Sequence, residues 1–149
     1  MRRTVSVSFS YAAPPEKVWR INTTFDTFRK LMARVARFDG FPARGSLQQG
    51  AVYDVGVRLF GCLPAFAYRI EMLELDAARF HFRSRESGGV IRDWRHVSDI
   101  VPDGTGCRLT DTVDADAGAL TPLLPPFIRF VFHSRHAPRL AMISDSKES

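Results

Sequence analysis

Apolar and polar residues alternate strictly at the start of the chain. Val5, Val7, Phe9 and Tyr11 fall on one side, and Thr4, Ser6, Ser8 and Ser10 on the other. A period of two predicts a half-buried strand over 4–11. From Ala12 the period lengthens. Ala12-Ala13-Pro14-Pro15-Glu16 predicts a helix start, because proline is tolerated in a first turn. Val18, Trp19 and Ile21 form its short apolar face. Thr23-Thr24 interrupts it, and Thr24 is placed to cap a second helix over 25–36 with the stripe Phe25, Phe28, Leu31, Met32 and Val35. Phe38–Arg44 reads as a loop or a short edge strand, since Pro42 disfavours a central one. Gly45–Gly50 reads as a turn.

Strand periodicity resumes at Ala51 and lasts to about Asp114, broken by turn signals at Phe60–Pro64, Asp76–Ala78, Ser87–Gly89 and Pro102–Gly106. Folding the runs back across these turns pairs Leu59 with Phe66, Val57 with Tyr68, Val55 with Ile70 and Tyr53 with Met72. The next turn pairs Met72 with Phe82 and Glu74 with Phe80. The third pairs Phe82 with Trp94 and Phe80 with His96. The fourth pairs Ile100 with Cys107, Ser98 with Leu109, His96 with Asp111 and Trp94 with Val113. A slip by one residue would turn every side chain to the opposite face, so a single apolar face running through all these strands is informative. The other side carries Arg58, Arg69, Glu71, Arg83, Arg85, Arg92, Arg95, Asp99 and Arg108. The pattern predicts an antiparallel meander with one wet and one buried face.

The last segment supplies a cover for that face. Leu120, Leu123 and Leu124 lead into Pro125-Pro126, which suit a helix start. Phe127, Ile128, Phe130, Val131 and Phe132 follow, then Arg135, His136, Leu140 and Ile143. Apolar residues occupy about half of this helix, as expected for one lying across a sheet. Pro138 is expected to kink or end it, and the tail Ser144–Ser149 is expected to fray.

Composition changes this picture little. The chain has 149 residues, a length that fits one domain over 1–149, with ordinary hydrophobic and charged content. Its net charge of +5 comes almost entirely from arginines spread over the strands. A nucleic-acid site would gather them on one element, so no nucleic-acid partner is expected. Cys62 and Cys107 lack metal-ligand spacing. Two buried free thiols in a reducing cytoplasm fit them better than a single disulfide. The polar alternation after Met1-Arg2-Arg3 argues against a signal peptide, and no stretch is apolar enough to span a membrane. No phosphate loop, nucleophile signature or metal cluster is present, so neither cofactor nor metal is expected.

The candidate chemistry is the pair His96 and Asp111. A carboxylate beside an imidazole fixes its tautomer and raises its basicity, which suits a general base. The same pair also serves as a mutually satisfied buried hydrogen bond that pins the register, or as a ligand contact. Arg135 and His136 have two readings: a ligand headgroup contact, or a favourable charge near the helix C-terminus. The 38–42 loop, with its glycine between two phenylalanines, would suit a lid or a homodimer contact.

The order of elements, with AAPPEKVW, AYRIEMLELDAARFHF, DWRH, GCRLTDTVD and RHAPRL, resembles the helix-grip fold of the SRPBCC superfamily. That superfamily includes START domains, the major birch pollen allergen and bacterial polyketide cyclase/dehydrase-like proteins. Ser98 stands where a second histidine of an H-x-H pattern would be. The resemblance implies an α+β fold in which a curved antiparallel sheet wraps a long C-terminal helix and leaves a hollow between them. The inward face then becomes a cavity wall: Tyr53, Val55, Val57, Tyr68, Ile70 and Phe80, followed by Phe82, Trp94, His96 and Asp111. Phe127 and Val131 would close it from the helix. Three functions follow as expectations. The first is binding of a hydrophobic small molecule such as a lipid, polyketide or isoprenoid-like compound. The second is a cyclase, dehydratase or isomerase using His96 and Asp111. The third is a regulatory protein-interaction module whose groove is filled by side chains.

Overall fold

The computed structural model describes residues 1–145. Seven antiparallel strands form one sheet: β1 (Arg3–Tyr11), β2 (Ala36–Asp39), β3 (Val52–Leu59), β4 (Phe66–Asp76), β5 (His81–Gly88), β6 (Ile91–Asp103) and β7 (Gly106–Asp116). Their spatial order is β1-β7-β6-β5-β4-β3-β2, so the meander is continuous and β1 docks on its last strand. Two short helices, α1 (Pro15–Thr23) and α2 (Phe25–Met32), follow β1, and the long α3 (Leu124–Asp145) packs across the concave face. This is the expected α+β helix-grip architecture.

The second helix is four residues shorter than expected, because Ala36 leaves it to open the edge strand β2, which pairs with the end of β3. Thr24 holds the N-cap position of α2, but its hydroxyl donates back to the Arg20 carbonyl at 2.7 Å. Pro138 does not end α3. The helix runs through it to Asp145, and beyond the proline Arg139 and Ile143 are anchored in the core. Of the tail Ser144–Ser149, the first two residues are still helical and the rest lie outside the described residues.

The expected pairings need correction, almost all by an even step. Val57 faces Phe66, because the connection between the paired ends of β3 and β4 runs over 58–65 and is two residues longer than expected. Ile100 faces Leu109 and His96 faces Val113, because the last turn is the two-residue Gly104-Thr105. Phe82 faces Ser98, and Ser84 faces His96. Even steps keep each side chain on its face. There are two exceptions. The β5–β6 ladder shifts between Glu86 and Gly88. At Leu73 a β-bulge leaves Met72 facing Ser84, yet Glu74 faces Arg83 and Leu75 faces Phe82. Glu74, expected on the inner parity, therefore turns outward and accepts from Arg83 at 2.9 Å. Tight turns need glycine here. A Cβ on Gly106 would come within 2.1 Å of the Tyr11 carbonyl oxygen, and one on Gly88 within 2.4 Å of that of Ala67.

Two apolar clusters lie under α3. The smaller is solid: Tyr11, Val18, Ile21, Leu31, Ile100, Cys107, Leu109 and Ile143 pack together where α1 and the end of α3 cross β1, β6 and β7. The larger spans the other half of the sheet and surrounds a hollow.

Candidate functional site

The hollow is a cavity of about 540 Å³ between the concave sheet, α2, β2 and the first half of α3. Strand alternation puts Val57, Phe66, Ile70, Met72, Phe82 and Trp94 on its floor. Helical spacing puts Phe127, Val131 and Arg135 on its roof, each four residues from the last. Phe38 and Phe41 turn inward and line it from the side, Phe41 being buried against Phe25 and Tyr53. Three lining residues are also widely exposed, namely Val90 (61%), Leu120 (44%) and Leu123 (64%). They mark an apolar mouth between the β5–β6 turn and the start of α3.

Of the residues expected to line the cavity, Val57, Tyr68, Ile70, Phe82, Trp94, His96, Asp111, Phe127 and Val131 do so. Three do not. Gly40 lies over Val55, and Phe41 packs on Tyr53, so the 38–42 segment covers both residues. Phe80 drops out of the sheet. The Leu73 bulge lets β4 and β5 pair only as far as Asp76 and His81, and Phe80 sits in the turn at φ 54°, against Trp19 of the solid cluster.

The polar groups of the cavity gather at the middle of the sheet. His96 Nε2 donates to Asp111 Oδ1 at 2.7 Å, and both residues are buried. They are not directly opposed: Asp111 faces Ser98, and the histidine reaches it diagonally. The His96 ring packs edge-on to Phe82 and at a tilt to Phe132. Burial alone would raise the Asp111 pKa, but the hydrogen bond and charge of His96, with the charges of Arg139 and Arg135, hold it below the ordinary aspartate value. With Nε2 committed to the carboxylate, no hydrogen bond to Nδ1 occurs among the described residues.

Beside this pair, Glu86 accepts from Tyr68 Oη and from Ser84 Oγ, each at 3.0 Å. Burial pushes the Tyr68 phenol well above its usual range, with the charge of Glu86 adding to it, so the phenol stays protonated and donates. Ser98 is 1% exposed and its hydroxyl has no hydrogen-bond partner. An unpaired buried hydroxyl costs about 1–3 kcal/mol and asks for an explanation.

Arg135 enters the cavity from α3. Its Nε contacts Met32 Sδ at 3.1 Å, and its guanidinium lies over the rings of Phe132 (4.6 Å) and Phe28 (5.6 Å). Burial pulls its pKa down to about 10, against the opposing pull of Asp111, so it remains charged at neutral pH. Arg139, one turn on, is only 1% exposed and donates to Asn22 Oδ1 and Tyr11 Oη, both at 3.0 Å. His136 points elsewhere: it stacks on Phe9 and shares a hydrogen bond with Tyr11. The two adjacent residues Arg135 and His136 thus have unrelated surroundings. Sequence reasoning passed over Ser84 and Glu86, although they continue the inward parity of Phe82, because RSRES reads as a wet strand end. The i, i+4, i+8 series from Phe127 was the signal for Arg135.

The remaining titratable groups do not assemble a metal site; no cluster of three potential ligands occurs among the described residues. Cys62 is exposed, and Cys107 is a buried free thiol of the solid cluster. No helix is long and apolar enough to cross a membrane among the described residues.

Solved structures share this architecture. Protein CV1439 from Chromobacterium violaceum is similar with a TM-score of 0.77 at 16% identity, covering 94% of this chain and 96% of its own. Ara h 8.0201 has a TM-score of 0.71 at 13% identity, covering 97% and 99%. The Zhui aromatase/cyclase from Streptomyces has a TM-score of 0.68 at 14% identity, covering 99% and 94%. At identities this low the likeness establishes the fold alone. No curated protein matches the sequence significantly. The match over residues 10–142 shows that the chain belongs to the family described as Domain of unknown function (DUF8410).

Proposed function

We propose that residues 1–149 act as one ligand-binding domain that takes up a hydrophobic small molecule through the apolar mouth into the cavity beneath α3. The carrying observation is the cavity itself: about 540 Å³ of space walled mainly by carbon, in a chain that fills the other half of the same interface solidly. Its size falls within the usual range for drug-sized ligands, roughly 300–1,000 Å³. The ligand class is lipid, polyketide or isoprenoid-like. The two cysteines, which stay apart as free thiols, support a cytoplasmic setting.

Native mass spectrometry of the purified protein tests this reading directly. Co-purified small molecules are expected, and Val131→Trp, which fills the cavity, should exclude them. Protein that is always ligand-free and takes up neither Nile red nor any member of a lipid and polyketide panel would sink it.

A second reading is supported by one specific observation. On the cavity wall His96 is held through Nε2 by Asp111, with no hydrogen bond to Nδ1 among the described residues. That is the minimum equipment for proton abstraction from a bound ligand. One structural neighbour is named as an aromatase/cyclase. If His96→Gln and Asp111→Asn fold normally and retain full turnover on an identified substrate, this reading fails. The third expectation, a protein-interaction module, presupposed a groove filled by side chains, and this groove is hollow.

A further inference from the structure

The cavity holds one feature that apolar ligand binding does not require. Arg135 is a guanidinium enclosed among aromatic rings and a thioether, and no carboxylate among the described residues lies within ion-pair distance of it. The nearby acids are already engaged: Asp111 takes the His96 proton, and Glu86 takes those of Tyr68 and Ser84. Elsewhere the chain pairs its sheet arginines readily. Arg2, Arg85 and Arg95 all bond Asp93, Arg69 bonds Asp54, and Arg83 bonds Glu74. An arginine placed inside the cavity without such a partner retains unused N–H donors, and the charges of Asp111 and Glu86 act on it only from beyond ion-pair distance.

A second, independent observation lies on the opposite wall. The Ser98 hydroxyl is buried, lines the cavity and has no partner. Ser98 faces Asp111 across the strands, and the Asp111 charge acts on Arg135, so hydroxyl and guanidinium flank the same carboxylate. The unused hydrogen-bonding capacity at this pole includes the Arg135 N–H groups and the Ser98 hydroxyl, both able to donate to a ligand oxygen.

Resting on the binding function proposed above, we infer that the natural ligand is an apolar molecule bearing one carboxylate, whose oxygens take the free N–H groups of Arg135 and the Ser98 hydroxyl. The planar fork of arginine matches a carboxylate better than it matches a lone hydroxyl. The apolar body then runs from this pole past Phe82, Ile70 and Val57 toward the mouth.

Displacement of Nile red, a neutral apolar fluorophore, by laurate, methyl laurate and dodecanol tests this on the whole chain. Laurate should displace it at least about tenfold more tightly than the ester or the alcohol, the worth of one charge-assisted hydrogen bond. Arg135→Gln should bring the three ligands level while Nile red still binds. Arg135→Lys should retain part of the preference, and Ser98→Ala should reduce it by a smaller factor. Equal binding of acid and ester by the unaltered protein would overturn the inference while leaving the cavity's binding role intact, and needs no variant to fold. An acid preference that survives in Arg135→Gln would overturn it as well. If neither Nile red nor any of the three ligands binds, the binding function itself falls, and this inference with it.

Discussion

The two ends of α3 cover the same sheet in opposite ways, and two arginines one turn apart show the contrast. At the solid end Arg139 is buried and bonded to Tyr11 and to Asn22, which reaches the cavity wall. At the hollow end Arg135 meets only rings, a sulfur atom and the cavity. Packing stabilises the first region. The second is left incomplete, with an empty volume, an unpaired hydroxyl and an unmatched charge together. A chain able to build the solid end had the means to fill the hollow one, so the difference points to a ligand rather than to poor packing.

The contrast is open to measurement, beginning with the largest effect. Leu109 is fully buried in the solid cluster, so Leu109→Ala should cost about 3 kcal/mol in urea unfolding. A cost under about 1 kcal/mol would mean that this end is not close-packed. Arg139→Met removes two donors and leaves Asn22 Oδ1 unsatisfied, so a loss of about 2 kcal/mol is expected by the same assay. A neutral outcome would erase the difference between the arginines.

Acid unfolding probes the boundary between the two ends. The folded-state pKa of Asp111 lies below its ordinary value. Its ionised form therefore adds stability that is complete above about pH 4 and lost as pH falls through the folded pKa. Asp111→Asn should lower the urea midpoint at pH 7 and flatten its decline toward acid. An unchanged slope would show that the His96 pair contributes nothing. Smallest of all, Arg135→Met should leave stability within about 0.5 kcal/mol or raise it, because a poorly compensated buried charge is no asset to the fold. A loss comparable to that of Arg139→Met would make Arg135 a structural residue.

Much of this was legible in the chain, and the reasons differ by element. The inner face of the sheet followed from parity, which survives errors of two residues in a turn. His96 and Asp111 are bonded although they are not directly opposed. What parity could not foresee was a change of count within a strand. The Leu73 bulge removed Phe80 from the sheet and turned Glu74 outward, and nothing in IEMLELD marks the extra residue. Tyr53 and Val55 have the right parity but are covered by Gly40 and Phe41, a tertiary contact with no local signature. Pro138 misled because its local cost is real, yet the anchors at Arg139 and Ile143 outweigh it. Arg135 and His136 were read alike, as headgroup contacts or as charges near the helix C-terminus, yet only Arg135 continues the series 127, 131, 135 and lines the cavity.

The bulge at Leu73 has a bearing on how this chain tolerates change. Up to Met72 the strand serves the cavity, and from Glu74 onward its faces are exchanged. One inserted residue thus acts as a gear change between two halves of a strand. Deleting Leu73 would remove the bulge and leave a regular ladder in which Met72 and Leu75 still face inward and Glu74 outward. In this strand length is as much a specification as chemistry: the loss of one residue is absorbed at the bulge, whereas elsewhere in the strand it would turn one flank to the opposite face.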